Sequence, residues 1–321
     1  MRRGRFAPTP SGLLHIGNAF TALLAWLQIR AASGSFVLRI EDIDTARSRP
    51  EYTEQLLKDL AWLGLDWDEG PDIGGPYASY EQRSRLEAYA SAVRRLGEDG
   101  WLYPCYCSRA ELKAVARAPH GLASEGAAYP GLCRHLTAAE RAQRAARKEP
   151  ALRFAVPPRE VVFTDGLQGR QQVAAGSLGD FVVRRADGVF SYQLAVVLDD
   201  AAMGITDVLR GADLLDSTPR QLLLCEALGL RPPAYHHVPL LCAPDGSRLS
   251  KRDRSLTLAA LRSAGVPPQR VLGLLAHLAG QLVRPEPAEA HELAGSFEPA
   301  RIPRTPVHIP RELWAELPSG A

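Results

Sequence analysis

His15 and Gly17 stand at the threshold of an apolar helical run, Ala19 to Ala31, directly after the broken strand Arg5-Phe-Ala-Pro-Thr-Pro-Ser11. Residues of these types at a helix entrance suit phosphate chemistry. The first turn of a helix presents unpaired N–H groups and a partial positive charge on which a triphosphate can settle. Gly17 lets a ligand approach the backbone closely, and His15 can donate to phosphoryl oxygens as their charge grows during transfer. Taken alone, the segment reads more simply as a proline-rich strand-to-helix turn with a chance histidine. A second stretch late in the chain, Arg248-Leu-Ser-Lys-Arg252, changes that balance. Lysine is scarce, with only Lys58, Lys113, Lys148 and Lys251, so arginine is the background cation. A lysine retained in this loop points to a need for a compact ammonium.

A second group of residues suits an acidic amino acid. Glu41 follows the short apolar run Phe36-Val-Leu-Arg-Ile40, and a carboxylate there can hold an ammonium group. The alternative is an ordinary helix-initiating acid, since Asp44 and Glu51 suit the first turn of a helix at 49–63. Arg210, at the end of an apolar strand and beside Gly211, can grip a carboxylate through two parallel hydrogen bonds, and Tyr192 can donate its hydroxyl to the same ligand. A structural salt bridge is the plainer reading of Arg210. Cys105, Cys107 and Cys133 lie within about thirty residues, a spacing that suits a tetrahedral zinc site with thiolate ligands. Tyr129, His120 and His135 are all near enough in sequence to supply a fourth ligand, and three reduced cysteines packing as small hydrophobes is the alternative. Cys225 and Cys242 lie in apolar runs and read as core.

The elements that must position these groups follow from periodicity. Residues 4–42 read as strand, helix, strand, and a parallel βαβ unit places ligands at the carboxyl ends of its strands, where both the 5–11 segment and Glu41 would lie. Residues 80–96 read as one long amphipathic helix ending at Gly97 and Gly100. Residues 135–148 form a basic, alanine-rich helix with a solvated face, and 181–188 looks like a hairpin. Two helices, 255–262 and 267–279, precede a tail from Val283 rich in Pro and Glu. With 321 residues, 46% hydrophobic and 23% charged, the chain has room for two cores and is not of disordered composition. Its net charge of +2 makes any nucleic-acid face a local patch. Prolines follow the basic N-terminus where a signal peptide needs an apolar core, and 19–31 is too short to span a bilayer. An odd count of five cysteines argues against a disulfide framework, so a cytoplasmic protein, free of membrane and with no sign of obligate oligomerisation, is expected.

The two phosphate motifs, in this order, resemble the His-Ile-Gly-His and Lys-Met-Ser-Lys-Ser signatures of class I aminoacyl-tRNA synthetases, with Asn18, Leu249 and Arg252 as the departures. Asn18 offers no second imidazolium, and Arg252 offers no hydroxyl. The segments 38–48 and 63–71, and the block from Gly204 to Arg220, resemble the glutamate branch of that class, with Ile43 and Asp207 where threonine and histidine are commoner. Cys105, Cys107, Tyr129 and Cys133 fit the Cys-x-Cys and Tyr-x-x-x-Cys pattern of a short relative, the glutamyl-queuosine tRNA(Asp) synthetases. The resemblance spans about four-fifths of the chain.

It implies an α/β fold: a Rossmann-type parallel sheet in two halves (1–100 and 186–254), an inserted zinc-containing α+β domain of acceptor-binding type (101–185), and a short helical C-terminal region (255–321) where glutamyl-tRNA synthetases continue into anticodon-binding domains. It further implies that ATP with Mg²⁺ lies along His15, Gly17, Asn18 and Lys251, with His15 and Lys251 catalytic. L-glutamate is held by Arg5, Phe6, Ala7, Pro8, Thr9, Glu41, Tyr192 and Arg210, and one structural Zn²⁺ by Cys105, Cys107, Tyr129 and Cys133. The expected reaction makes glutamyl-adenylate and passes the glutamyl group to queuosine in the tRNA(Asp) anticodon stem-loop, with the protein acting as a monomer. A minimal glutamyl-tRNA synthetase charging the 3′ end, and a catalytically idle RNA-binding paralogue, are the competing readings.

Overall fold

A computed structural model describes residues 1–77, 79–108, 111–112, 128–247, 249 and 256–315. Strand β1 (Arg3–Phe6) runs through the proline-broken segment into helix α1 (Ile16–Arg30), and β2 (Ser35–Leu38) returns parallel to β1, with Arg3 opposite Ser35 and Phe6 opposite Leu38. Helices α2 (Pro50–Trp62) and α3 (Leu86–Glu98) follow. Next come β3 (Leu102–Cys105), α4 (Ala138–Ala145), β4 (Ala151–Phe154), the paired β5 (Glu160–Asp165) and β6 (Gly169–Ala174), and β7 (Phe181–Arg184). The chain then returns through α5 (Tyr192–Ala202), β8 (Asp207–Gly211), α6 (Thr218–Leu228), β9 (Ala234–Val238) and β10 (Leu241–Cys242). It ends, among the described residues, with α7 (Leu258–Ser263), α8 (Pro268–Leu278), α9 (Ala290–Gly295), β11 (Val307–His308) and the short α10 (Arg311–Ala315).

The sheet that organises the molecule is parallel, in the order β2-β1-β8-β9, so β1 is joined to a strand from the far half of the chain. Parallel strands covered on both faces need apolar side chains throughout, and Phe36, Val37 and Leu38 are all buried. Helix α1 is apolar on nearly every face, as a fully enclosed helix must be, and its core cluster also takes in α2, α7 and α8. A second core joins α3, α5, α6 and the antiparallel sheet β3-β4-β7. Against this apolar background Arg5, Arg39 and Asp200 are buried near the carboxyl ends of the strands, where unpaired charge would cost several kcal/mol (roughly).

Several elements differ from their sequence expectations. Residues 80–96 are not one helix. Tyr80 and Gln82 instead exchange backbone hydrogen bonds with Ile40, extending the sheet edge beyond β2, and α3 begins only at Leu86. Sheet pairing overrides helical periodicity there. In 181–188, β7 pairs with β4 and also turns back on itself as expected, with the Arg185 N–H donating to the Val189 carbonyl at 2.8 Å and the Ser191 N–H to the Val183 carbonyl at 2.9 Å around an Arg184–Phe190 bridge; β5–β6 is a second, longer hairpin with six residue pairs. The tail beyond Val283 supplies β11, which pairs in parallel with β10. Helix α4 buries no residue and is held at its start by a Thr137–Glu140 capping box, in keeping with a solvated face. Residue 255 lies outside the described residues. Among the described residues no helix is long and apolar enough to cross a membrane.

Candidate active site

A cleft of about 720 Å³ opens at the carboxyl ends of β1 and β8. Arg5, Phe6, Ala7, Pro8, Thr9, His15, Gly17, Asn18, Glu41, Tyr192 and Arg210 all line it, so the residues singled out from three distant stretches converge on one cavity. Lys251 lies outside the described residues.

His15 is the N-cap of α1. Its Nδ1 accepts from the Gly17 N–H at 3.1 Å, and the Asn18 side chain accepts from the His15 N–H at 3.2 Å. A nitrogen that accepts carries no proton, so in the neutral ring the donor is Nε2–H. One expectation is corrected: the Gly17 amide is engaged by His15 rather than held open for an anion. A Cβ at Gly17, which lines the cleft, would also lie 3.0 Å from the His15 ring, so the glycine leaves room for that neighbour too. Asn18 acts as the reciprocal cap, a role that a second imidazole would not fill in the same way.

The floor of the cleft is ionic. Arg39 is fully buried and donates from Nη1 to Asp200 at 2.7 Å and from Nη2 to Glu41 at 3.1 Å. Arg5 reaches the same Asp200 oxygen at 3.4 Å. Burial works against an ionised Asp200, but Arg39 and Arg5 hold its carboxyl below the usual carboxylate range. Glu41 comes out the other way. Burial pushes its carboxyl up, and Arg39 and Arg5 only partly offset the push. An ammonium ion arriving beside Glu41 therefore relieves an existing electrostatic deficit.

Arg210, on β8, is held by its neighbours. Nε donates to His237 Nε2 at 2.9 Å, and Nη2 donates to Thr218 Oγ1 at 2.8 Å and to the Leu214 carbonyl at 3.3 Å. Nη1 meets the Tyr192 hydroxyl at 3.3 Å. A guanidinium has five N–H groups, so among the described residues four are engaged and the remaining one is on Nη1. This corrects the expected two-bond grip, since the Nε–Nη2 edge is committed to protein. Tyr192 accepts from Arg210, which turns its own O–H outward; burial pushes its pKa up, Arg210 opposing, so the hydroxyl stays a donor at neutral pH. One ligand carboxylate can be met by Nη1–H and the Tyr192 O–H together.

Away from the cleft, the Sγ atoms of Cys105, Cys107 and Cys133 lie within 4.8 Å of one another. The Tyr129 hydroxyl is 3.5 Å from Cys105 Sγ and 3.2 Å from Cys107 Sγ, and it accepts from the Cys133 amide at 3.0 Å. Arg153 stacks over the Tyr129 ring at 3.9 Å, and Lys148 donates to the carbonyls of Tyr106 and Cys107. Three converging thiols and a phenol make a donor set that a tetrahedral metal ion fits. His135 is exposed and outside the cluster, and His120 lies outside the described residues. Cys225 and Cys242 are buried, as expected of core.

The sequence reading missed Arg39, Asp200, Thr218, His237 and Asp165, all of which hold the ligand-facing groups in place. Arg39 inside an apolar strand, and Asp199-Asp200 closing the run Leu194-Ala-Val-Val-Leu198, were the available signals: charges at buried positions require partners.

A two-half parallel sheet with a histidine capping the first helix, and an ionic pocket for an acidic ligand beside it, define the catalytic body of a class I aminoacyl-tRNA synthetase. The family model for tRNA synthetases class I (E and Q), catalytic domain, matches residues 2–299. A Symbiobacterium thermophilum protein called glutamyl-Q tRNA(Asp) synthetase is 61% identical over 99% of this chain and 98% of its own length. A second protein of that name, from Nitratidesulfovibrio vulgaris, is 51% identical over 100% and 99%. The crystal structure of a glutamate tRNA ligase from Elizabethkingia meningosepticum, in complex with its amino acid, superimposes with a TM-score of 0.85 at 29% identity, over 97% of this chain and 68% of that one. The chain belongs to the glutamate and glutamine branch of the class I tRNA synthetases and, within it, to the glutamyl-Q tRNA(Asp) synthetase family of ligases.

Proposed function

We propose that the protein joins L-glutamate to ATP as glutamyl-adenylate and transfers the glutamyl group to the cyclopentenediol of queuosine in the anticodon stem-loop of tRNA(Asp). The observation that carries the first step is the cleft itself: one under-compensated carboxylate, Glu41, faces two arginines, Arg5 and Arg210, across a single cavity. That arrangement complements one ammonium and two carboxylates. Phe6 to Thr9 wall the same pocket.

In the first half-reaction a carboxylate oxygen of glutamate attacks the α-phosphorus of ATP, and the bond to the β-phosphate oxygen breaks as pyrophosphate leaves. His15 at the cap of α1 donates from Nε2–H to phosphoryl oxygens, Gly17 and Asn18 shape the turn beneath them, and Lys251 adds a compact positive charge to the leaving phosphates. Mg²⁺ arrives with ATP and supplies further charge neutralisation. In the second half-reaction a hydroxyl of the diol attacks the glutamyl carbonyl and AMP departs. No protein nucleophile is required; the side chains contribute position and charge. The names of the near-full-length relatives support queuosine as the acceptor.

Cys105, Cys107, Tyr129 and Cys133 would hold one structural Zn²⁺, which would cross-link β3 to the segment around 129–133. The proposed domain division is 1–100, 101–185, 186–254 and 255–321, with the protein acting as a cytoplasmic monomer.

Arg210→Ala tests the pocket. Glutamate-dependent ATP–pyrophosphate exchange is expected to lose about 100-fold or more in kcat/KM for glutamate, as when a buried charge loses its partner, with KM for ATP unchanged. Tyr192→Phe removes one hydrogen bond and should cost roughly tenfold. A parental KM for glutamate in Arg210→Ala would exclude the pocket as assigned.

A further inference from the structure

We propose that Asp165, on the hairpin β5–β6 of the inserted segment, is a positioning residue for glutamate activation that acts through His237 on Arg210. The inference rests on the reading above that Arg210 meets glutamate.

The geometry fixes the direction of every proton in this chain. Arg210 Nε can only donate, so His237 Nε2, 2.9 Å away, must accept. The single proton of the neutral ring is then on Nδ1, which donates to Asp165 Oδ2 at 2.6 Å. Asp165 Oδ1 is held in turn by the amides of Leu167, Gln168 and His237 at 3.0, 2.9 and 3.2 Å. Asp165 and His237 are 1% and 0% exposed, so water does not substitute for either partner. Burial alone would raise the Asp165 carboxyl, but the His237 bond and the amides bring it down to about 2. Burial also holds His237 below its ordinary value, with Arg210 adding to the effect against the pull of Asp165. The carboxylate is ionised and the imidazole neutral, as the donor–acceptor order requires.

The hairpin reaches this position by close packing against β9. The Gly166 N–H donates to the Tyr235 carbonyl at 2.9 Å, and Gln168 Nε2 donates to the His237 carbonyl at 2.9 Å. A Cβ on Gly166 would lie 2.0 Å from His236 Nδ1, so the approach is possible only at glycine. The edge of Arg210 turned away from the ligand is therefore set by a strand of the inserted segment, and the glutamate pocket is complete only when that segment is seated.

Asp165→Asn exposes the relay without altering volume. Three amides require an oxygen at Oδ1, which puts the new NH₂ against His237 Nδ1. The ring proton must then move to Nε2, where it faces the Arg210 Nε–H, donor against donor. Steady-state pyrophosphate exchange should show KM for glutamate raised about 10- to 100-fold, with KM for ATP within about twofold of the parent. His237→Gln keeps the order, with its carbonyl toward Arg210 and its amide NH₂ toward Asp165, and should retain KM for glutamate within about fivefold. His237→Leu should lose it as Asp165→Asn does. A merely structural role for Asp165 would move both KM values, or neither, and would not separate Gln from Leu. If Asp165→Asn keeps the parental KM for glutamate while Arg210→Ala raises it, the relay is wrong and the pocket stands. If Arg210→Ala changes nothing, the pocket reading falls and takes the relay with it. Should Asp165→Asn not fold, equal KM values for His237→Gln and His237→Leu would overturn the relay.

Discussion

Asp200→Ala is expected to destabilise the protein by about 3–5 kcal/mol and to abolish glutamate activation. Asp200 lies between two guanidinium groups that have almost no access to water: Arg39 at 2.7 Å, with a fully buried side chain, and Arg5 at 3.4 Å. Removing it leaves both cations buried, with Glu41 and Asp199 as the remaining anions. Asp199 cannot take over. It already accepts from Arg85 Nε at 2.6 Å, from the Tyr89 hydroxyl and from Gln82, and it meets Arg39 only at 3.9 Å. Arg39 would then turn toward Glu41, withdrawing the carboxylate that waits for the substrate ammonium. Because the folded Asp200 carboxyl lies below its unfolded value, its contribution is present throughout neutral pH and is lost only as pH falls through the folded pKa. Denaturant unfolding and pyrophosphate exchange on Asp200→Ala check both claims. Parental stability together with parental exchange would contradict them.

The second large effect concerns the cysteine cluster. Treatment with a strong chelator, or replacing Cys133 with serine, is expected to lower Tm by about 5 °C or more, since a structural zinc site would contribute several kcal/mol and each is about 1–2 °C in a chain of this size. Cys133 is wholly buried, and its amide donates to Tyr129, itself clamped under Arg153, so the loss would spread into the sheet β3-β4-β7. Metal analysis of the parent should give one zinc per chain. A parent without zinc, and a chelated sample that melts with it, would remove zinc from the account.

What could be read from the sequence was local. The prolines at 8 and 10 with Gly12 announced a strand-to-helix turn, and the structure places His15 as the cap of that helix. Glu41 and Arg210 were visible because each ends an apolar strand run. The partners of those groups were not, because pairing depends on adjacency that no short window contains. β1 lies beside β8, and the β5–β6 hairpin lies against β9, so Asp200 and His237 acquire their meaning only once the sheet is closed. Residues 80–82 show the same limit in the backbone: their helical pattern yields to the hydrogen bonds that Ile40 offers. Gly17 was read for the space it leaves to a ligand; the space it also leaves to the His15 ring was not legible.

The measurement that tests the central claim most directly is transfer of labelled glutamate to purified tRNA(Asp) with and without queuosine, with tRNA(Glu) alongside, followed by nuclease digestion to locate the label. The account predicts label on queuosine-containing tRNA(Asp) alone, recovered in the anticodon nucleoside. Label on the terminal adenosine of tRNA(Glu) would contradict it and make the protein a minimal glutamyl-tRNA synthetase.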